Sequence, residues 1–363
     1  MKKKKSLIIS IVIFIVLLIT FQLTAITPFA WSPPKLPENT GVYQSNELLT
    51  SSKKIHLTMG FGPENVAIDS LGNLYCGSHI QKEDFSIGKI LKITPNGKVS
   101  VFSDTKSWVA GMDFDKKGNL IACDLSRGLI SINPNGEITV LATKTEEGDP
   151  IKIPNDVDIA SDGMIYFTNS SSQLDFNMDN IMQLIFEQKK DGGLYQYNPK
   201  TKKVKTLTKG NYFPNGVAIS KNDDYLLFVE TSRYRILKHW LKGEKKGTTE
   251  IFIDNLPGFP NGISKSKDGN FWLGFSTKRI KDLDAAHPSV FKKKLIFALP
   301  KWMQPEIEPF GMLMKVAPEG HILKTYYDTT GTIVPEASAI TEYNNHLYIG
   351  GDRTAYISKW KIE

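Results

Sequence analysis

Alternating apolar and polar residues, interrupted by Gly- and Asn-rich corners, recur as one phrase six times along the 363-residue chain. Each copy holds an apolar segment, a turn and a second apolar segment, the pattern of two antiparallel strands joined by a tight turn. Further hairpins with their own Asn-Gly corners follow several copies, as in 89–102 and 129–141. Four strands per unit predict the blades of a β-propeller. The copies lie at 62–78, 108–124, 153–170, 213–232, 259–276 and 334–351.

The spacing of the copies supports a single six-bladed ring. Glu64 and its counterparts are separated by 46, 45, 60, 46 and 75 residues, and propeller blades repeat at about 40–50 residues. The two long intervals carry partly helical insertions, 178–190 and 278–311, which we expect to cover the mouth of the central channel. The last copy is about one strand short, and the strand-like segment Lys53–Thr58 precedes the first copy. We therefore predict an all-β, six-bladed β-propeller whose N-terminal strand closes the last blade.

The N-terminus predicts a single transmembrane helix. Lys2 to Lys5 precede an apolar run from Leu7 to Ile26, which is long enough to cross a bilayer. The lysines place the tail in the cytoplasm and the rest of the chain on the other side. A cleaved signal peptide, and thus a secreted protein, is the alternative. The predicted domains are a cytoplasmic tail and signal anchor at 1–28, a Pro-rich tether at 29–50, and the propeller at 51–363.

Charge and cysteines narrow the possible partners. The net charge is +7, but four of the positive charges belong to the leader and the other lysines are scattered, which disfavours nucleic acid. Cys76 and Cys123 lie in equivalent strands and lack the spacing of a metal or redox motif. We expect two buried free thiols, although a disulfide is possible in an exported protein.

The apolar insertion around Leu295 and Trp302 offers a further membrane contact.

One register of the repeat carries oxygen ligands. The first strand of each propeller blade lines the axis, so residues at equivalent positions converge there. One carboxylate and three amide carbonyls form a set suited to a hard cation such as calcium. Alternatively, each Asn is present for its turn-forming backbone. The register reads Glu64, Ala110, Asn155, Asn215, Asn261 and Glu336.

Several longer motifs identify a family resemblance. The most specific are FTNSSS at 167–172, FPNGVAIS at 213–220, FVETSRYRI at 228–236, the run at 239–263, and HLYIGG at 346–351. With these motifs the chain resembles, over nearly everything after residue 55, the strictosidine synthase-like branch of the six-bladed calcium-dependent phosphotriesterase superfamily. The resemblance implies the same fold and, in its hydrolytic members, a calcium ion held at the positions of Glu64, Asn155, Asn215 and Asn261.

The chain departs from each group of relatives at one catalytic position. The resemblance implies that the hydrolytic relatives have Asp at the position of Asn261. It implies a histidine pair near the position of Ala110 in paraoxonases, and a catalytic Glu at the position of Ser338 in strictosidine synthases. Asn261 keeps a carbonyl oxygen but not the charge, so calcium should be held more weakly.

These features predict a membrane-anchored, calcium-dependent hydrolase of a small-molecule ester or lactone, with one Ca²⁺ in the channel. Asp156 and Glu230 are the candidate proton acceptors. The alternatives are a non-catalytic, metal-stabilised propeller that binds a ligand or protein, and a condensing lyase, which Ser338 disfavours.

Overall fold

The structure is a computed structural model that describes residues 9–11, 13–16, 25–81, 84–304 and 307–362. The predicted membrane segment, residues 7–26, lies largely outside this part of the chain; residues 9–11 and 13–16 are helical, with large apolar side chains that are exposed. Within the described ranges, no helix combines the length and apolar character that a bilayer crossing needs. The membrane anchor and the bounds of the three domains stay predictions.

The fold is the predicted six-bladed propeller. Six four-stranded antiparallel sheets form the blades, and blades 1 to 5 each use four consecutive strands. The strands are β1 (Lys53–His56), β2 (Val66–Ile68), β3 (Leu74–Gln81), β4 (Asp84–Ile93), β5 (Val99–Ser103), β6 (Val109–Phe114), β7 (Leu120–Asp124), β8 (Gly128–Ile132), β9 (Ile138–Ala142), β10 (Pro154–Ile159), β11 (Ile165–Asn169), β12 (Gly192–Asn198), β13 (Lys203–Asn211), β14 (Pro214–Ile219), β15 (Tyr225–Glu230), β16 (Arg235–Trp240), β17 (Thr249–Ile253), β18 (Gly258–Lys265), β19 (Phe271–Lys278), β20 (Gly311–Val316), β21 (Ile322–Asp328), β22 (Ile340–Tyr343), β23 (His346–Ile349) and β24 (Tyr356–Lys361).

The N-terminal strand closes the ring, as predicted. Strand β1 pairs antiparallel with β24, and Ile55 lies opposite Ile357. Blade 6 therefore has the strand order β1-β24-β23-β22. Because β1 occupies the outer edge of this sheet, the first and last parts of the propeller are hydrogen-bonded together.

The corners between first and second strands follow the turn chemistry that the sequence indicates. The Asp69 carboxylate accepts the backbone N–H groups of Leu71 and Asn73, at 3.0 and 2.9 Å. Asp115 makes equivalent bonds to Lys117 and Asn119. These aspartates are turn residues because they satisfy the backbone where the chain reverses, and all of these corners lie on the face opposite the lids.

Apolar residues from neighbouring blades form the core. At the closing interface, Val66 and Leu91 of blade 1 pack with Tyr348 and Ile357 of blade 6. Comparable clusters lie between the other neighbouring blades. Cys76 and Cys123 are buried free thiols, as expected.

Two insertions form lids over one face of the ring. The first follows β11 and contains helix α1 (Met178–Glu187), which Asn177 caps by accepting the Asn180 N–H at 2.8 Å. The second follows β19 and contains α2 (Lys281–Ala286) and α3 (Val290–Ala298). Short 3₁₀ turns complete the described elements, at Gly41–Tyr43, Leu48–Ser51, Thr231–Arg233 and Lys301–Met303.

Candidate functional site

A bulge interrupts the first strand of four blades at the same register. The pairing shifts between Val109 and Met112, between Pro154 and Val157, between Pro214 and Val217, and between Pro260 and Ile263. A bulge inserts an unpaired residue and turns its side chain away from the ordinary alternation. Ala110, Asn155, Asn215 and Asn261 all lie within these bulges. Asn155, Asn215 and Asn261 therefore lie in bulged strands and not in the turns between strands.

Glycines in this register allow the blades to meet at the axis. A Cβ on Gly216 would lie 2.4 Å from the Ile263 nitrogen, and one on Gly262 would lie 2.5 Å from the Ser338 carbonyl oxygen. Both distances are shorter than any side chain tolerates, so only glycine permits this approach. The Asn-Gly pairs thus serve close packing at the axis.

The structure brings the four predicted ligands together. Glu64, Asn155, Asn215 and Asn261 all line one small cleft at the axis, and they also form part of the floor of a larger cavity of about 110 Å³ beneath the lids. The three asparagines are buried. Glu64 lies just ahead of β2, and its carboxylate accepts no hydrogen bond and forms no ion pair among the described residues.

Hydrogen bonds orient two of the amides. The Ser170 hydroxyl donates to the Pro214 carbonyl at 2.7 Å and accepts from the Asn155 amide nitrogen at 3.2 Å. Because the hydroxyl proton is already committed to Pro214, only the nitrogen of the Asn155 amide fits against Ser170. Asn261 donates likewise to the Ser276 hydroxyl at 2.7 Å. These bonds leave the amide oxygens available to the cleft.

The electrostatics at the floor favour a cation. Burial raises the pKa of Glu64 well above its ordinary value, and the nearby carboxylates of Asp352 and Asp156 raise it further. An ionised Glu64 therefore needs a positive partner. The described residues contain no group of three or more His, Cys, Asp or Glu side chains arranged for a metal, so a metal here depends on amide oxygens. One carboxylate and three amides fit calcium, which binds hard oxygen ligands.

Asp156 follows Asn155 in β10, and its carboxylate is hydrogen-bonded to backbone N–H groups. Its carboxylate accepts the N–H groups of Val157 and Val217, each at 3.0 Å. Burial raises its pKa to about 7. Asp156 thus ties blade 3 to blade 4, and it contacts the small cleft only.

Glu230 lies away from the cavity. One carboxylate oxygen accepts from the Asn211 amide at 3.1 Å and from the Tyr212 N–H at 3.0 Å, and the other accepts two bonds from Arg235 at 2.6 Å. The side chain is buried and fully paired, and it does not line the cavity. Its contacts are structural.

Blade 6 adds two acidic residues to the cavity, of which one lies outside the repeat register. Glu336 and Asp352 line the larger cavity, and the Glu336 carboxylate accepts the Arg353 N–H at 2.8 Å. Burial and the neighbouring Asp352 raise the pKa of Glu336 well above its ordinary value. Glu336 stands in the repeat register, but Asp352 is visible in the sequence only as an acid after Gly350-Gly351. Ser338 faces the small cleft instead.

The upper wall of the cavity is apolar. Trp108 and Phe213 extend from the blades, whereas helix α1 contributes Met178 and Ile181, and Leu283 comes from α2. The Trp108 indole donates to the Gly62 carbonyl at 3.0 Å, which fixes the ring. An apolar wall above a polar floor suits a molecule that has an apolar body and a polar reacting group.

Fold and site together define a six-bladed propeller with an oxygen-lined axial centre. The strictosidine synthase family matches residues 155–245, and the strictosidine synthase-like N-terminal family matches 41–80. Protein strictosidine synthase-like 3 of Arabidopsis thaliana is 34% identical over 69% of this chain and 66% of its own length. The adipocyte plasma membrane-associated protein of Gallus gallus is 30% identical over 91% of this chain and 82% of its own. The chain belongs to the strictosidine synthase-like family.

Solved structures share the fold at low identity. A gluconolactonase from Xanthomonas campestris matches with a TM-score of 0.62 and 16% identity, over 93% of this chain and 97% of its own. The calcium-binding protein regucalcin from Agrobacterium tumefaciens matches with a TM-score of 0.56 and 14% identity, over 86% and 94% of the two chains. At these identities the likeness concerns the fold.

Proposed function

We propose that the protein is a membrane-anchored, calcium-dependent hydrolase of small esters or lactones. The observation that carries the proposal is the convergence of Glu64, Asn155, Asn215 and Asn261 at the floor of an apolar-walled cavity. Gluconolactonase and calcium-binding relatives of the same fold support this chemistry. Relatives described as plasma membrane-associated support the location, together with the apolar N-terminal run.

In this proposal, the residues at the floor of the cavity bind the metal and those of its wall bind the substrate. Glu64 and the three asparagines would hold calcium, and a calcium ion bound there would supply a positive charge to polarise the substrate carbonyl. Trp108, Phe213 and the lid helices bind the apolar part of the substrate and exclude water from it. The oriented amides of Asn155 and Asn261 keep their oxygens in place without rearrangement.

Glu336 is the best placed group for proton transfer. It lines the same cavity as the four ligands, whereas Glu230 is fully paired elsewhere and Asp156 lines only the small cleft. In the hydrolysis, water adds to the carbonyl carbon and loses a proton to Glu336. The carbon–oxygen bond then breaks, and that proton passes to the departing oxygen.

A second candidate is a metal-stabilised propeller that binds its ligand without turnover. It is favoured by Asn261, because Glu64 is then the only carboxylate among the four ligands and calcium is held by a single negative charge. Both candidate functions require bound calcium, but only the hydrolase turns over a substrate.

Turnover by the full-length chain in detergent tests the proposal. Aryl esters and aliphatic lactones should be hydrolysed with calcium, and chelation should abolish turnover. Glu64→Gln and Glu336→Gln should each lower kcat/KM by about 100-fold or more. Glu244→Gln, an exposed glutamate in the hairpin loop before β17, is the matched control. Turnover that survives both chelation and Glu64→Gln would overturn the calcium mechanism, and calcium binding without turnover would favour the scaffold.

A further inference from the structure

The path of the N-terminal chain fixes where it meets the propeller. Phe29 donates its N–H to the Glu187 carbonyl of α1 at 2.9 Å, and its own carbonyl accepts the Lys293 ammonium of α3 at 2.7 Å. Two residues on, Trp31 donates its N–H to the His287 carbonyl at 3.0 Å. Ile26 is buried in the same apolar cluster as Phe186. The apolar N-terminal run therefore joins the body between the two lids, on the face where the cavity opens.

Large apolar side chains are exposed on the N-terminal segment and on the second lid. Trp302 is 83% exposed, Phe291 64% and Phe29 61%. Phe29 contacts α3 through Lys293, and Phe291 lies in the first turn of that helix. The 3₁₀ turn that holds Trp302 is tied to the lids because Lys301 pairs with Asp179 at 3.0 Å. An exposed aromatic group of this kind marks an interaction surface rather than ordinary surface scatter.

The same surface is basic. Residues 287–304 contain four lysines and no acidic residue. Lys293 is buried on Phe29 and Lys301 is paired with Asp179, which leaves Lys292 exposed and Lys294 partly exposed without an acidic partner in the segment. Aromatic and aliphatic side chains interspersed with lysines are typical of segments that lie in the interface of an anionic membrane.

The cavity beneath this surface is apolar on the lid side. The cavity is lined by Met182 and Ile185 of α1 and by Ile280 ahead of α2. Ile307, which follows α3 in the sequence, also lines it. An apolar wall therefore extends from the lid face toward the polar floor. A lid face that lies on a bilayer would let amphiphilic molecules enter this cavity without crossing water.

From the chain path, the exposed aromatic side chains and the lysines, we propose that the lid surface formed by Phe29, Phe291, Trp302 and the α3 lysines docks onto the anionic surface of the bilayer that holds the N-terminal segment. The mouth of the propeller then faces the lipid, and its ligands come from the membrane phase. This inference concerns orientation and holds whether or not the cavity hydrolyses its ligand.

Site-specific labelling of the full-length chain tests this orientation. Trp302→Cys places an environment-sensitive fluorophore on the lid surface, and Leu71→Cys places one at a corner of the opposite face, where Leu71 is 76% exposed. The natural cysteines are buried, and unmutated protein gives their background labelling. Both proteins are reconstituted in vesicles of phosphatidylcholine, alone or mixed equally with phosphatidylglycerol.

We expect the fluorophore at position 302 to shift to shorter wavelength and to be quenched by spin-labelled lipid about twofold or more beyond that at position 71. Anionic lipid should increase this difference, and the pair Lys292→Glu with Lys294→Glu should reduce the increase. The matched control reverses Lys116 and Lys117 on the opposite face and should leave it unchanged. Equal lipid quenching at positions 302 and 71 would overturn the proposal. So would a shift that depends on protein density and not on lipid, which indicates contact with a second copy.

Discussion

Ser170 is a buried hydroxyl that acts through Asn155. It donates to the Pro214 carbonyl of blade 4 and accepts from the Asn155 amide of blade 3, so one side chain both joins two blades and selects which amide atom faces the axis. Groups that orient a metal ligand in this way commonly change metal affinity by 10–100-fold when removed. The orientation of the Asn155 amide therefore depends on the Ser170 hydroxyl.

Removal of that hydroxyl should weaken calcium binding and leave the fold intact. In Ser170→Ala the Asn155 amide can rotate its nitrogen into the cleft, and we expect the Kd for calcium to rise about 10-fold or more. Calorimetric titration measures the change. Ser161→Ala, an exposed serine at the corner of the same blade, is the control. An unchanged Kd in folded Ser170→Ala would contradict the orienting role.

The repeat predicts which residues converge at the axis, but it does not predict how individual side chains are paired. The repeat register predicts that Glu64, Asn155, Asn215 and Asn261 meet, because equivalent positions of a closed ring converge. It does not reveal that Glu230 is sequestered by Arg235, since that pairing depends on the side chains of a neighbouring strand. The proximity of Asp352 to Glu336 was equally hidden, because it follows from how blade 6 folds back after β23.

The first strands of several blades carry a partly buried charged network below the site. Lys265 of β18 pairs with Asp158 of β10 at 2.9 Å, and the other oxygen of Asp158 accepts the Ile219 N–H of β14 at 2.7 Å. Asp113 of β6 lies beside them, and burial together with the Asp158 charge raises its pKa to about 7. The network links four inner strands, and its stability depends on protonation.

The free energy of unfolding should depend on pH because the pKa of Asp113 is raised in the folded protein. The folded protein binds the Asp113 proton more tightly than the unfolded chain does, so this contribution is present below about pH 4 and is lost as the pH rises to about 7. Asp113→Asn removes the titration. The free energy of unfolding of the variant, minus that of the wild type, should therefore rise between these pH values and level off above them.

Urea denaturation across that pH range measures this difference. Asp104→Asn, at an exposed loop position, should leave stability within about 0.5 kcal/mol of the wild type at each pH. A difference for Asp113→Asn that stays constant or falls with rising pH would contradict the assignment.

Elements with a strong repeating pattern were easier to predict than the segments between them. The hairpins, the closing strand β1 and the two helical insertions all follow from apolar periodicity and turn residues. The route of residues 26–35 across the lids does not. Its contacts are backbone groups of Phe29 and Trp31 bonded to the lids, and such contacts leave no periodic pattern in the sequence.

The whole ring creates the site because closure brings distant residues to one axis. Glu64 and Glu336 are separated by most of the chain, yet both line the same cavity. Strand β1 holds the ring closed through β24, and the lids and N-terminal segment cover the open face. The fold and the convergence of the four proposed ligands follow from the repeat, whereas the apolar wall of the cavity comes partly from lids that share no pattern with it.

Calcium titration of three forms of the full-length chain tests the central claim, which is that the axial ligands bind one ion according to their charge. The wild type should bind one calcium per chain, with a Kd at or below about 1 mM. Glu64→Gln removes the only carboxylate among the four proposed ligands and should bind at least about 10-fold more weakly, whereas Asn261→Asp adds a carboxylate and should bind more tightly. If the folded wild type binds no calcium, or if all three forms bind it equally, the axial centre does not bind calcium as we propose.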